Sequence, residues 1–215
     1  MLYIISTPIG NLQDLSQRAK DIFCGCDLVL AEDTRQARKI LNHLGVSKRV
    51  VSCHEHTGGN KLEGIIDEIS KTKSAVYCSD AGAPNLSDPG GKLVEGVLEK
   101  GVEVSPIPGP SALTTLISVC PFACSRFEFI GYFPKKKGRQ TAAWYIKNSE
   151  IPIFFFESPH RIKKTVAILK EKLPEKKVII GRELTKKFEQ ITISHLSQIN
   201  IDTICEKGEF VLGIF

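Results

Sequence analysis

The sequence predicts an α/β protein of two domains: an N-terminal one on a mostly parallel sheet, and a C-terminal one on a mixed sheet, with a cleft between. Three observations carry this. Short apolar runs alternate with helix-period segments through the first half, as in a parallel sheet covered on both faces. Three prolines and a glycine then crowd into Pro106–Pro110 and break the alternation. Beyond that point several strands follow one another without an intervening helix, which implies antiparallel pairing. The expected domains are residues 1–108 and 109–215.

Taken in order, LYIIS reads as a buried strand, followed by a Pro/Gly turn and a helical pattern from Leu15 to Phe23. DLVLAE is a second strand, and Thr34 is expected to cap the helix RQARKILNHL, closed by Gly45. RVVSC is a third strand. Leu62, Ile65, Ile66 and Ile69 then fall on one helical face. SAVYCS, the helix GKLVEGVLEK ended by Gly101, and the strand VEVSPIP complete the first half. A helix SALTTLISV leaves the proline cluster. The strands RFEFIGYF, IPIFFFES, KKVIIGREL, FEQITIS and EFVLGIF follow, with helices AAWYIKN and HRIKKTVAILKEKL among them.

Bulk properties narrow the class. No apolar run is long enough to span a bilayer, and the N-terminus MLYIISTPIG has no basic leader or cleavage site, so a cytoplasmic protein without a membrane partner is expected. Seven cysteines without a Cys-x-x-Cys pair read as free thiols in a reducing compartment, not as a metal or disulfide framework. Charge is divided unevenly. Residues 1–110 hold 12 Lys/Arg against 14 Asp/Glu, whereas residues 111–215 hold 17 against 10. A polyanionic partner approaching the second half fits that asymmetry.

Polar residues gather where strands end: STPIGN, EDTR, HEH, SDAGAP and PGPSA after the first five. In an open parallel sheet, ligands bind outside the carboxyl ends of the strands. Asp80 can accept hydrogen bonds from hydroxyls or an amine and offset positive charge, while Gly10 and Gly82 permit close backbone approach. Asp88 suits a cap for the following helix. Glu32, Asp33 and Arg35 stand at a strand-to-helix turn, where Asp33 is either a substrate contact or a helix-start acid. His54 and His56 lack the spacing of a zinc pair, and no metal site is expected. In the second half, ESPHR puts Pro159 at a helix start, with His160 and Arg161 beside a terminus that suits phosphate. PKKKGRQ supplies four positive charges between a strand and a helix, a candidate phosphate grip. Walker and dinucleotide glycine motifs are missing.

The segments YIISTPIGNLQDLSQRA, AEDTR, SDAGAPNLSDPG, PIPGPSAL, FFESPHR and RELTKKFE, in that order, resemble the ribosomal RNA small subunit methyltransferase I family, of the tetrapyrrole-methylase-like class. The resemblance runs from Leu2 to about Glu189. It implies a homodimer using S-adenosyl-L-methionine to methylate a cytidine 2′-hydroxyl of 16S ribosomal RNA or the small subunit. By position, it implies donor contacts at Pro8, Ile9 and Gly10, at Asp80, Gly82 and Ala83, at Ser111 and Ala112, and at Phe156. Glu32, Asp33 and Glu157 are the carboxylates from which a base would come, with Arg161 holding phosphate. The family commonly has Thr where Ala83 stands, and longer members continue past the position of Phe215. RNA docking through that further segment is therefore not expected here. Three rivals share parts of the pattern: a related methylase of a tetrapyrrole or protein side chain, a metal-dependent phosphohydrolase using Glu32, Asp33, His54, Asp80 and Asp88, and a non-catalytic RNA-binding protein.

Overall fold

The computed structural model describes residues 1–215, which divide into two compact units, Met1–Ser111 and Ala112–Phe215.

The first unit is a five-stranded sheet of β1 (Leu2–Ile5), β2 (Leu28–Ala31), β3 (Arg49–Ser52), β4 (Ala75–Cys78) and β5 (Val104–Ile107), ordered β3-β2-β4-β1-β5. Every pairing is parallel. The connecting helices are α1 (Gln17–Gly25), α2 (Thr34–His43), α3 (Gly59–Lys71) and α4 (Gly91–Glu99). The strands are apolar on both sides because both sides are covered. Val29, Ala31, Val76 and Cys78 pack against Phe23 of α1 and Ile40 and Leu41 of α2. The alternate residues Leu28, Leu30, Ala75 and Tyr77 pack against Ile65, Ile66 and Ile69 of α3 and Leu93 and Val97 of α4. Right-handed crossovers require this division: the chain moves one way across the sheet from β1 through β3, then reverses to reach β4 and β5.

Local chemistry moves two helix starts from their expected places. Residues Leu12–Asp14 form a 3-10 turn, and α1 begins only after Ser16, whose hydroxyl accepts from the Ala19 N–H at 3.2 Å. Asp33, not Thr34, caps α2; its carboxylate accepts from the Arg35 N–H at 2.8 Å and Thr34 is the first helical residue. A carboxylate is the stronger acceptor for those orphan amides.

The second unit contains α5 (Ala112–Ile117), β6 (Glu128–Tyr132), α6 (Arg139–Asn148), β7 (Ile153–Glu157), α7 (Ile162–Lys172), β8 (Lys177–Arg182), β9 (Gln190–His195) and β10 (Phe210–Ile214). Its sheet order is β6-β7-β10-β8-β9, parallel between β6 and β7 and antiparallel elsewhere, so it is mixed as expected. One face is sealed by Ala143 and Ile146 of α6 and by Ile162, Val166 and Leu169 of α7. Two short 3-10 turns, Leu196–Gln198 and Ile201–Thr203, lie where the sequence pattern gave no signal. Helix α7 starts later than its Pro159 implied: Ser158–Arg161 form a turn, with the Arg161 N–H donating to the Ser158 carbonyl at 3.0 Å. No helix is long and apolar enough to cross a membrane.

Candidate active site

Parallel register places the tips of the first unit's strands along one edge. Ile5 stands beside Ile107, Ala31 beside both Ser52 and Cys78, so the loops beginning at Ser6, Glu32, Cys53, Ser79 and Pro108 emerge together. The loop after β1 leads to α1 on one face and that after β4 to α4 on the other. Such a divergence between neighbouring strands is where open α/β sheets take ligands.

Here the loops are tied together by backbone. Thr7 and Gly82 form an isolated antiparallel bridge, with Thr7 N–H to Gly82 carbonyl at 2.9 Å and the reverse bond at 3.0 Å. Thr7 is fully buried, and its hydroxyl donates to the Ser79 carbonyl at 3.4 Å. Gly82 has φ +78°, and a Cβ there would lie 3.5 Å from Ile9 and 3.8 Å from the Pro110 carbonyl. Space for a methyl group exists; the left-handed backbone is what requires glycine. The loops carrying Pro8–Gly10 and Asp80–Ala83 are thus one connected feature, with buried Ser111 closing the unit at its end.

Five carboxylates of this edge sense one another. Asp80 Oδ1 accepts from the Asp33 N–H at 2.9 Å, linking the tips of β2 and β4. Burial raises the Glu32 carboxyl above its usual range, and the charges of Asp80, Asp88 and Glu55 add to the effect. Asp88 is raised by burial, partly offset by a hydrogen bond from Ser79. Asp80 stays at the exposed rim, raised by partial desolvation and opposed by the Asp33 N–H. Asp33 behaves oppositely. Its hydrogen bonds from the Arg35 side chain and N–H hold it down at about 2, so it remains a carboxylate and a poor proton acceptor.

Asp88 does not cap α4. That helix begins after Gly90, without a side-chain cap, because Gly90 at φ 141° carries the chain into the helix. A Cβ at Gly90 would meet Asn85 Oδ1 at 2.6 Å and the Tyr77 ring at 2.8 Å. The Tyr77 hydroxyl, at the end of an otherwise buried residue, donates to the Pro89 carbonyl at 2.9 Å and pins this loop to β4. Behind the loop lies a cavity of about 370 Å³, with His54, Glu55, Thr57, Asp88 and Lys92 among its walls. His56 pairs at 3.1 Å with Glu55 on the surface.

The second-unit candidates sit in other surroundings. Glu157, 1% exposed, accepts from the Ser158 N–H at 2.7 Å and from the Thr165 hydroxyl at 2.5 Å, and pairs with Arg161 at 2.5 Å. Arg161 donates Nε to the Ser158 hydroxyl at 2.9 Å and Nη1 to the Phe133 carbonyl at 3.1 Å. All three guanidinium nitrogens therefore point inward, and the pair clamps the β7–α7 turn. Ala112 is the first residue of α5. Phe156 is half-buried in an aromatic group with Phe129 and Tyr132, at centroid distances of 4.9 and 5.5 Å.

Thr7, Tyr77 and the Ser79–Asp88 bond escaped the sequence pattern. Thr7 left only a weak trace, a polar residue inside STPIGN; Tyr77 lies in an apolar strand whose pattern hides a hydroxyl role. No group of three or more His, Cys, Asp or Glu side chains is placed to hold a metal ion.

Residues 1–200 match the family model Tetrapyrrole (Corrin/Porphyrin) Methylases. "Ribosomal RNA small subunit methyltransferase I" of Halalkalibacterium halodurans is 40% identical over 216 residues, covering 98% of this chain and 74% of the relative. The protein of the same name from Leptospira biflexa is 35% identical, covering 98% and 89%. Among solved structures, diphthine synthase superposes with a TM-score of 0.72 at 12% identity, over 100% of this chain and 88% of that one. A uroporphyrin-III C-methyl transferase from Thermus thermophilus, complexed with S-adenyl homocysteine, gives 0.68 at 14% identity, over 99% and 96%. At such identities the structures speak for the fold.

Proposed function

The chain belongs to the tetrapyrrole (corrin/porphyrin) methylases and, within them, to the ribosomal RNA small subunit methyltransferase I family, and from that premise we propose that it methylates small-subunit ribosomal RNA with S-adenosyl-L-methionine as donor. The acceptor is the 2′-hydroxyl of a cytidine ribose. The observation that carries this reading is the near-full-length identity to relatives that bear that name.

The first unit's strand tips suit such a donor. A sulfonium nucleotide brings positive charge, an amine and ribose hydroxyls, and the edge offers clustered carboxylates whose mutual repulsion a cation would relieve. Pro8, Ile9, Gly10, Asp80, Gly82, Ala83 and Ser111 are the residues that would hold it there. When bound, the donor supplies an electrophilic methyl carbon on a positively charged sulfur. The protein's own task is to hold the ribose oxygen in line, and positioning of this kind is worth about 7–11 kcal/mol. Glu32 is the carboxylate suited to take the hydroxyl proton: half-buried, raised, and free of the ion pair that holds Asp33 down. A base so placed contributes about 10²–10⁴-fold. The cavity beyond Asp88 and Glu55 is adjacent room for the target nucleoside.

The protein works in the cytoplasm as a homodimer. Its edge strand β9 exposes Ile191 (40%) and Ile193 (44%), next to Phe188 (64%), an apolar edge of the kind that pairing buries. The deciding experiment is incubation of purified protein with small ribosomal subunits and labelled donor, followed by mapping of ribose methyls. A single new 2′-O-methylcytidine is expected; no donor-dependent product would overturn the function.

A further inference from the structure

Helix α6 carries the chain's single tryptophan on its outer face. Trp144 is 66% exposed, a poor position for the largest apolar side chain unless something covers it. Around it lies an open cavity of about 490 Å³ lined by Gln140, Thr141, Trp144, Lys147 and Lys172. The lining follows from helix geometry, since Gln140 and Thr141 stand one turn before Trp144 and Lys147 one turn after it. The loop leading into α6 adds exposed Lys135, Lys136 and Lys137. From Phe133 to Ser149 the chain has five basic residues and no acidic one. Of these, Arg139 is turned inward, donating to the Pro134 carbonyl and the Thr165 hydroxyl. Lys172 shares its charge with Glu171 at 2.8 Å. The lysine loop and Lys147 are therefore the cations that face solvent.

We propose that this surface is a docking shelf for single-stranded RNA, with an unpaired base stacked on Trp144 and flanking phosphates held by Lys135–Lys137 and Lys147. It deepens the function above by naming how the polyanion is gripped, and it rests on that reading. An indole face accepts any base, while lysines track the backbone, which is the usual physical design for single-strand binding. A paired base has no free face to offer, so duplex RNA of equal length should bind through charge alone.

The full chain tests this directly, because its one tryptophan is also its reporter. A cytidine-rich, unstructured RNA dodecamer should quench Trp144 emission; the same length of duplex should not. Trp144→Ala should weaken single-strand binding by about 5- to 150-fold, the range measured for loss of one stacked base. Trp144→Phe should recover most of it, and donor binding by calorimetry should stay at the wild-type value in both. Replacing Lys135, Lys136 and Lys137 with Ala should flatten the plot of log affinity against log salt by about 2, at roughly 0.7 per phosphate contact. Unchanged single-strand affinity in Trp144→Ala would overturn the proposal. Methylation run in parallel separates the two readings. Wild-type protein that methylates ribosomal RNA, alongside a Trp144→Ala variant with unchanged KM, removes the shelf alone. Wild-type protein quenched by RNA but transferring no methyl group removes the function and leaves the shelf.

Discussion

Replacing Glu157 discriminates between a carboxylate at the chemistry and a carboxylate inside the fold. Its side chain is sealed from solvent and meets the Ser158 N–H, the Thr165 hydroxyl and the Arg161 guanidinium. Truncation to Ala leaves Arg161, itself only 18% exposed, without its counter-charge, and orphans two further donors. Breaking a buried pair from one side costs about 3–5 kcal/mol. For a chain of this size that is a fall in Tm of about 6–20 °C. Thermal and urea unfolding of Glu157→Ala should register this loss, with Arg161→Ala similarly damaged. Because each single change removes the same pair, the double variant should fall short of the sum by about 0.5–3 kcal/mol. Glu157→Met with Arg161→Met should recover most of the stability, since no charge is then left buried without a partner. Below its lowered Tm, Glu157→Ala should still transfer methyl groups. A variant with wild-type unfolding and abolished transfer would refute the clamp and return Glu157 to the reaction.

Three further outcomes are expected. Asp80→Ala should weaken donor binding in calorimetry by about 10- to 150-fold, the worth of a hydrogen bond to a charged group; unchanged affinity would remove Asp80 from the donor site. Glu32 titrates above its usual value, so the methylation rate should rise with pH through that raised value, and Asp80→Asn, by deleting a neighbouring charge, should move the acid limb to lower pH. The same raised value makes the Glu32 charge a cost to folding: stability present at low pH falls as pH climbs from 4.5 through the folded-state value. Glu32→Gln should therefore raise Tm at pH 7, with no gain at pH 4. Sedimentation should give a dimer for the wild type and a monomer for Ile193→Lys, which sets a charge on the exposed edge strand; an unaltered dimer would place the interface elsewhere.

Most strands and helices, the mixed second sheet and the edge on which polar loops gather were legible in the residues, whereas the 3-10 turns and several helix starts were not. Leu28–Ala31 and Ala75–Cys78 are apolar without interruption, which only a sheet covered on both faces tolerates, and SDAGAP after such a strand already marked the edge where the polar loops meet. Family membership was legible too, because it resides in ordered motifs and not in contacts. What the tertiary structure decided was the task of each charged side chain. Glu32, Asp33 and Glu157 are all simply carboxylates in the sequence; one is raised by burial and then by neighbouring acids, one is held at about 2 by Arg35, and one is sealed against Arg161. Proton affinity and reach depend on what long-range pairing brings within a few ångströms, and no local pattern records residues 47 or more positions apart, such as Asp33 and Asp80, meeting at the end of adjacent strands.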